Sequence, residues 1–262
     1  ALVPGAILNA IIKPLLPHAP FLSFVLVLTS LSAMILPATS AVCVGMLAKF
    51  TPIQTASLAL AATIGAGNAH VVNGTITANG SGNVLNIGIT IAIAYILIIF
   101  LGKKLKDLTI LLLPTLTMLI GGGIGMLTLK PVNQFTMAIG LGIERITGLQ
   151  PVLMGILIGI CFAILIVSPI SSVGIATAIG INGIAAGSAN LGIVAVSFAI
   201  AIAGAKSNSF GTTISHFIGT PKIQMANILA KPKLLIPSII NAGILGGLGA
   251  IFNIKGTPVS AG

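Results

Sequence analysis

Long apolar runs, broken by short clusters of Pro, Gly, Asn, Ser and Thr, set the pattern of this chain. Residues 87–101 are dominated by Ile, Ala, Leu, Phe and Tyr, and residues 152–167 look much the same. Strands of a membrane barrel alternate apolar and polar positions because the lumen is wet. These runs do not alternate, so they predict helices, whose backbone groups satisfy one another in lipid. Apolar segments are predicted at 21–36, 38–50, 52–64, 84–101, 108–129, 151–167, 191–205 and 234–254. An amphipathic stretch at 132–148, a small-residue segment at 170–186 and a short amphipathic piece at 222–230 lie between them. Several runs fall short of the ~20 residues of a full crossing. Short segments interrupted by Pro or Gly predict discontinuous or re-entrant helices. The fold class read from this pattern is an all-α integral membrane protein, in one transmembrane domain over residues 1–262. It is a polytopic helical transporter fold with two internal structural repeats.

Composition supports the bilayer as solvent. Charged residues make up 5% of the chain, against roughly 25% in a soluble domain. The net charge of +10 comes from scattered Lys and Arg at the ends of apolar runs, where lysine snorkels and fixes topology. Nucleic acid is therefore not a partner. Asp107 sits in the cationic cluster 103–107, and Glu144 neighbours Arg145 as an interfacial pair, so carboxylate-based ion coupling is not predicted. Cys43 and Cys161 lie in apolar runs and read as reduced packing residues. No spacing fits a metal, and no cofactor is implied. The first residue is not Met and no signal-peptide pattern opens the chain, so a trimmed N-terminus is expected.

The two halves align in order. Pro20 matches Pro151, Pro37 matches Pro169, Ser57–Asn68 matches Ser197–Asn208, Gly74-Thr75 matches Gly211-Thr212, and Pro114-Thr115 matches Pro237-Ser238. Repeat 1 is about 1–130 and repeat 2 about 131–262. A count of about five segments per half favours inversion. Lys103, Lys104 and Lys106 against Lys231 and Lys233 favour loops on the same, cytoplasmic side. Re-entrant segments reconcile either count. Gly121-x-x-x-Gly125, Gly155-x-x-x-Gly159 and Gly243-x-x-x-Gly247 predict close helix contact.

Two polar stretches follow matched spans. The first, 65–83, holds Asn68, His70, Asn73, Thr75 and Asn83; the second, 206–216, holds Asn208, Thr212 and His216. Irregular backbone at membrane depth is tolerated where it is buried in protein or lines a wet cavity. Asn, Ser and Thr offer neutral donors and acceptors, which suit a hydroxylated neutral solute. The breaks at Pro37-Ala38-Thr39-Ser40 and Ser168-Pro169-Ile170-Ser171-Ser172 are the second candidate region, with Ser171 and Ser172 as ligands. The histidines read as groups that touch substrate or a carbonyl rather than metal.

The segment Gly219-Thr220-Pro221-Lys222-Ile223-Gln224-Met225-Ala226-Asn227-Ile228, running into Pro232 and Leu235-Ile236-Pro237, resembles the EIIC membrane proteins of the bacterial phosphotransferase system. Gly82-Asn83-Val84-Leu85-Asn86, the span from Leu113-Pro114 to Lys130-Pro131, and Ser168–Ser172 share the resemblance. The nearest branch includes membrane regulators of toxin expression. The resemblance implies a bacterial inner-membrane permease, multi-pass, homodimeric, and served by EIIA and EIIB partners that phosphorylate the sugar. Fructose-type members carry an acidic, Gly-Pro-rich motif where this chain has Ser168–Ser172, and the acid is missing. The reading is a permease for a small neutral solute such as a sugar or polyol. The alternative is a membrane-embedded sensor that binds its ligand without moving it. A pore-lining polar stripe and a nucleophile–base pair are both missing from the sequence, which argues against a channel and an enzyme.

Overall fold

Proline and small polar residues set the helix ends. α1 (Ser23–Met34) and α2 (Leu36–Leu47) are one apolar run broken at Ile35, with a bend of 46°. Pro37, in the first turn of α2, has no N–H to return to the preceding turn. α3 (Pro52–Gly65) begins with a capping box. The Thr51 hydroxyl accepts from the Gln54 N–H, and the Gln54 side chain accepts from the Thr51 N–H at 2.9 Å. The computed structural model describes residues 8, 11–72, 74–78, 80–102 and 104–261. Asn73 and Lys103 lie outside the described residues.

The polar stretch after α3 folds into a hairpin of β1 (Ala69–Val72) and β2 (Thr75–Ala78). Its base is closed by the Asn83 N–H, which donates to the Ala66 carbonyl at 2.9 Å. Gly82, at φ +73°, lies so close to that carbonyl that no side chain fits there. α4 (Val84–Gly102) follows. Then α5 (Thr109–Leu116), a π-helical segment (Thr117–Gly122) and α6 (Gly123–Ile146) make one helical run from Lys106 to Ile146. The sequence predicts two segments here, divided near Pro131. Pro131 instead stays inside α6; membrane helices tolerate proline more readily than soluble ones do.

The chain forms two compact units, Ala1–Asn133 and Gln134–Gly262. In the first, α3 is central and packs on α2, α4 and the π segment. Leu58, Ala61, Ala62, Ile91, Ala94, Ile98 and Leu113 are its core. Asn86 is buried with them, as are Ser57, Thr90 and Thr117. The Asn86 amide donates to the Gly65 carbonyl (2.6 Å) and the Gly125 carbonyl (2.7 Å), and its oxygen accepts from the Thr128 hydroxyl (2.9 Å). It ties the ends of three helices together with every polar atom used.

The second unit holds α7 (Pro151–Ile166), α8 (Ser172–Ala178), α9 (Gly183–Gly204), α10 (Phe210–Ile214), a π-helical turn (Ser215–Gly219), a 3-10 turn (Pro221–Gln224), α11 (Met225–Ala230) and α12 (Ile236–Ile251). α7, α9 and α12 pack mutually as a three-helix core. Their backbones nearly touch. A Cβ on Gly159 would lie 2.5 Å from the Ala242 carbonyl oxygen, and Gly155 faces Gly246 just as closely. Ser188 donates to the Gly246 carbonyl at 2.9 Å. Lipid is as apolar as leucine, so such helices associate by close packing and interhelical hydrogen bonds.

Four helical runs among the described residues are long and apolar enough to cross a bilayer: Val84–Gly102, Lys106–Ile146, Gly183–Gly204 and Pro232–Ile251. The bent pair α1–α2 brings the total to five. Large side chains such as Ile96, Phe100, Leu111, Leu127 and Ile240 point outward, as a lipid-facing surface requires. The protein is a polytopic α-helical membrane protein.

The glycine contacts set a prediction. Gly246→Val should destabilise the purified protein by about 1–3 kcal/mol or prevent its folding, since the extra carbons meet backbone that cannot move aside. A Cβ on Gly88 would meet nothing within 4 Å, so Gly88→Ala should be neutral or stabilising by up to ~1 kcal/mol. Thermal unfolding in detergent distinguishes the two.

Candidate functional site

Asn68 and Asn83 of the first polar stretch are bonded within the protein. Asn68 is buried at the end of α3, and its amide donates to the Gly80 carbonyl (3.2 Å) and the Met34 carbonyl (3.5 Å). His70 lies on β1 opposite Thr77, and Thr75 opens β2 opposite Val72. Asn83 caps α4: its side-chain oxygen accepts from the N–H groups of Leu85 (3.0 Å) and Asn86 (3.2 Å). Its amide donates to Asn133 at 2.7 Å. These groups gather around the hairpin and its base, at one end of α3 and α4.

In the second unit the break after α7 is also internally bonded. Ser171 caps α8 by accepting from the Gly174 N–H at 3.0 Å, and Ser172 is buried behind it. Lys222, from the 3-10 turn, reaches this break. Its ammonium donates to the carbonyls of Ser168 (2.6 Å), Ile170 (2.8 Å) and Leu165 (3.4 Å). Burial lowers its pKa to about 8, because an ammonium loses hydration there.

The polar segment after α9 differs, because part of it faces open space. Asn208 follows α9 and lines a cavity of about 450 Å³. Gln224, Asn227, Lys231 and Ser238 complete its polar lining; Ile200, Ile228, Leu234 and Pro237 supply apolar wall. The Asn227 amide donates to the Gln224 carbonyl oxygen at 2.6 Å. The Gln224 amide group, the Asn227 oxygen, the Asn208 amide and the Ser238 hydroxyl have no protein partner among the described residues. The volume lies within the 300–1,000 Å³ range of small-molecule sites, and apolar walls with a few aimed polar groups are their usual make-up. Of the residues singled out from sequence, Asn208 lines this cavity. Thr212 bonds back to Ser209, hydroxyl to hydroxyl at 3.0 Å.

His216 stands apart. It is fully buried on the π-helical turn, and neither ring nitrogen has a partner among the described residues. The neighbouring Phe217 ring packs on Phe198 of α9 at 4.9 Å. Single π turns frequently mark functional positions in helices. A separate hollow of about 340 Å³, lined by Glu144, Thr147 and Asn182 among others, lies elsewhere in the same unit.

Sequence reasoning does not single out Gln224, Asn227 and Ser238, which line this cavity with Asn208. Gln224 and Asn227 sit in the short segment 222–230, and Ser238 sits one turn into an apolar run. Their one sequence signal is shared with Asn208: each is an uncharged polar residue at the edge of an apolar segment.

Several spans and two polar-rimmed helix breaks define a polytopic α-helical membrane protein. A family description, Phosphotransferase system, EIIC, matches residues 1–262, and the chain belongs to that family. It is thus a sugar-type permease component, whose counterpart is an EIIB-type component. No curated protein and no solved structure matches the chain.

A buried polar group without a partner costs about 1–3 kcal/mol. His216→Leu should therefore raise the thermal midpoint of the ligand-free protein or leave it unchanged. A fall of several degrees would show that the imidazole is already satisfied in the folded state.

Proposed function

We propose that this chain binds and translocates a small neutral hydroxylated solute, of the sugar or polyol class, and that the cavity lined by Asn208, Gln224, Asn227 and Ser238 receives it. The observation that carries this reading is the convergence of unused neutral donors and acceptors on one cavity. Amide and hydroxyl groups match the alternating donor and acceptor character of sugar hydroxyls. Among the described residues the lining holds no carboxylate, and its one charged residue, Lys231, is exposed. By the positive-inside rule, Lys231 and Lys233 place this end of the unit at the cytoplasm, where an EIIB-type component works. His216, fully buried and outside the lining of this cavity, stays a separate candidate: a group held buried without a partner among the described residues is held at a cost.

The two-repeat organisation belongs to the same reading. The border between the compact units, Asn133 to Gln134, lies near the division of about 130 read from internal similarity. Asn68 follows α3 as Asn208 follows α9, and Pro37 and Pro169 both mark breaks between helices.

The test is thermal unfolding of the detergent-purified protein against hexoses, hexitols, pentoses and amino acids. A ligand that binds only the folded state, at about 100 times its Kd, adds ~2.7 kcal/mol and raises the midpoint. The expected result is a rise with one hydroxylated neutral solute that is lost in Asn208→Ala and Asn227→Ala. A rise that survives both substitutions would move the site elsewhere. No rise with any sugar or polyol would overturn the solute class.

A further inference from the structure

Lys222 carries an inference that the solute site does not. Its ammonium has three donors, and three carbonyl oxygens accept from it: Ser168 at 2.6 Å, Ile170 at 2.8 Å and Leu165 at 3.4 Å. Leu165 lies in the last turn of α7, and its carbonyl is shared: it also accepts from the Ser168 N–H at 3.0 Å and the Ser168 hydroxyl at 2.8 Å. Ser168 and Ile170 lie in the unwound segment that follows. Among the described residues no carboxylate accepts from it, and backbone carbonyl dipoles face the charge. The negative end of α7 adds to that field.

An unwound helix end with its carbonyls turned to one point is the arrangement by which secondary transporters hold a monovalent coupling ion. Here a side chain fills that point. We propose that the Lys222 ammonium is a tethered cation: it occupies a three-carbonyl monovalent-cation site at the end of α7, and so fixes the break that carries Ser171 and Ser172. The protein supplies its own ion, and its fold is indifferent to added Na⁺ or K⁺. Lys222 is a positioning residue in this account. It acts on the break through Ser168 and Ile170 and touches no solute. The inference does not rest on the nature of the solute, and its test uses none.

Two variants separate a cation site from an ordinary structural contact. Lys222→Met keeps the length and apolar stem but removes the charge. Lys222→Ala removes both and leaves room for a free cation. Each is purified in detergent, and its thermal midpoint is read in choline chloride, NaCl, KCl and propylammonium chloride at equal ionic strength. Wild type should show the same midpoint in all four. Both variants should fall by about 4 °C or more in choline, the scale of a lost buried contact set in a chain of this size. Lys222→Ala should recover at least half of its loss in propylammonium, Na⁺ or K⁺, with saturation, whereas Lys222→Met should not recover. If Lys222→Ala cannot be purified in choline, the same recovery is read as folded yield when propylammonium is present throughout extraction. A Lys222→Met midpoint equal to wild type, or a Lys222→Ala loss that no cation restores in midpoint or yield, overturns the proposal.

Discussion

Close approach of helix backbones is the constraint on which this structure depends. In water, burying leucine would drive α7, α9 and α12 together. In lipid that gain is absent, and what remains is contact area and the hydrogen bonds that proximity allows. Glycine and alanine at 155, 159, 192, 242 and 246 bring the three axes close enough for carbonyls to face α-carbons. Ser188 then reaches across to the Gly246 carbonyl. The first unit solves the same problem with Asn86, whose side chain binds the carbonyls of Gly65 and Gly125, two positions without side chains of their own. In each unit the small residues create the approach and one polar side chain locks it.

Packing of this kind confines where chemistry can occur. The hollows along α7, α9 and α12 are lined almost wholly by apolar side chains, so polar groups collect where helices stop. Those of the hairpin end spend their bonds on closing it. Those of the break after α7 are spent on capping α8 and on holding Lys222. The groups around Asn208 are the exception, because the 3-10 turn, α11 and the start of α12 stand off from the end of α9 and leave a cavity between them. A solute that replaces water there meets unused amides at fixed positions, so little order has to be imposed when it binds.

Much of the fold was legible because lipid imposes a simple rule on sequence. Apolar length gave the spans, and Pro37, Pro52 and Pro151 marked helix starts that the structure shows. Pro131 misled, since a proline that would end a soluble helix can sit inside a membrane helix. The hairpin at 69–78 escaped notice because its alternation is short and lies within turn-forming residues. Of the cavity-lining residues, Asn208 was visible from its place after a matched span. Gln224, Asn227 and Ser238 were not, because their meeting at one cavity comes from which helix ends pack together. Lys222 looked like one more interfacial lysine; only the positions of three carbonyls distinguish it.

The central claim is that the solute occupies the cavity beside Ser238. The most direct measurement is thiol protection. In a protein with Cys43→Ser and Cys161→Ser, a Ser238→Cys substitution places one thiol on the cavity wall, and its rate of reaction with a small polar maleimide is followed in detergent. The account predicts that the solute able to raise the thermal midpoint slows this labelling in proportion to its occupancy. Labelling that proceeds at the same rate with that solute saturating would contradict it.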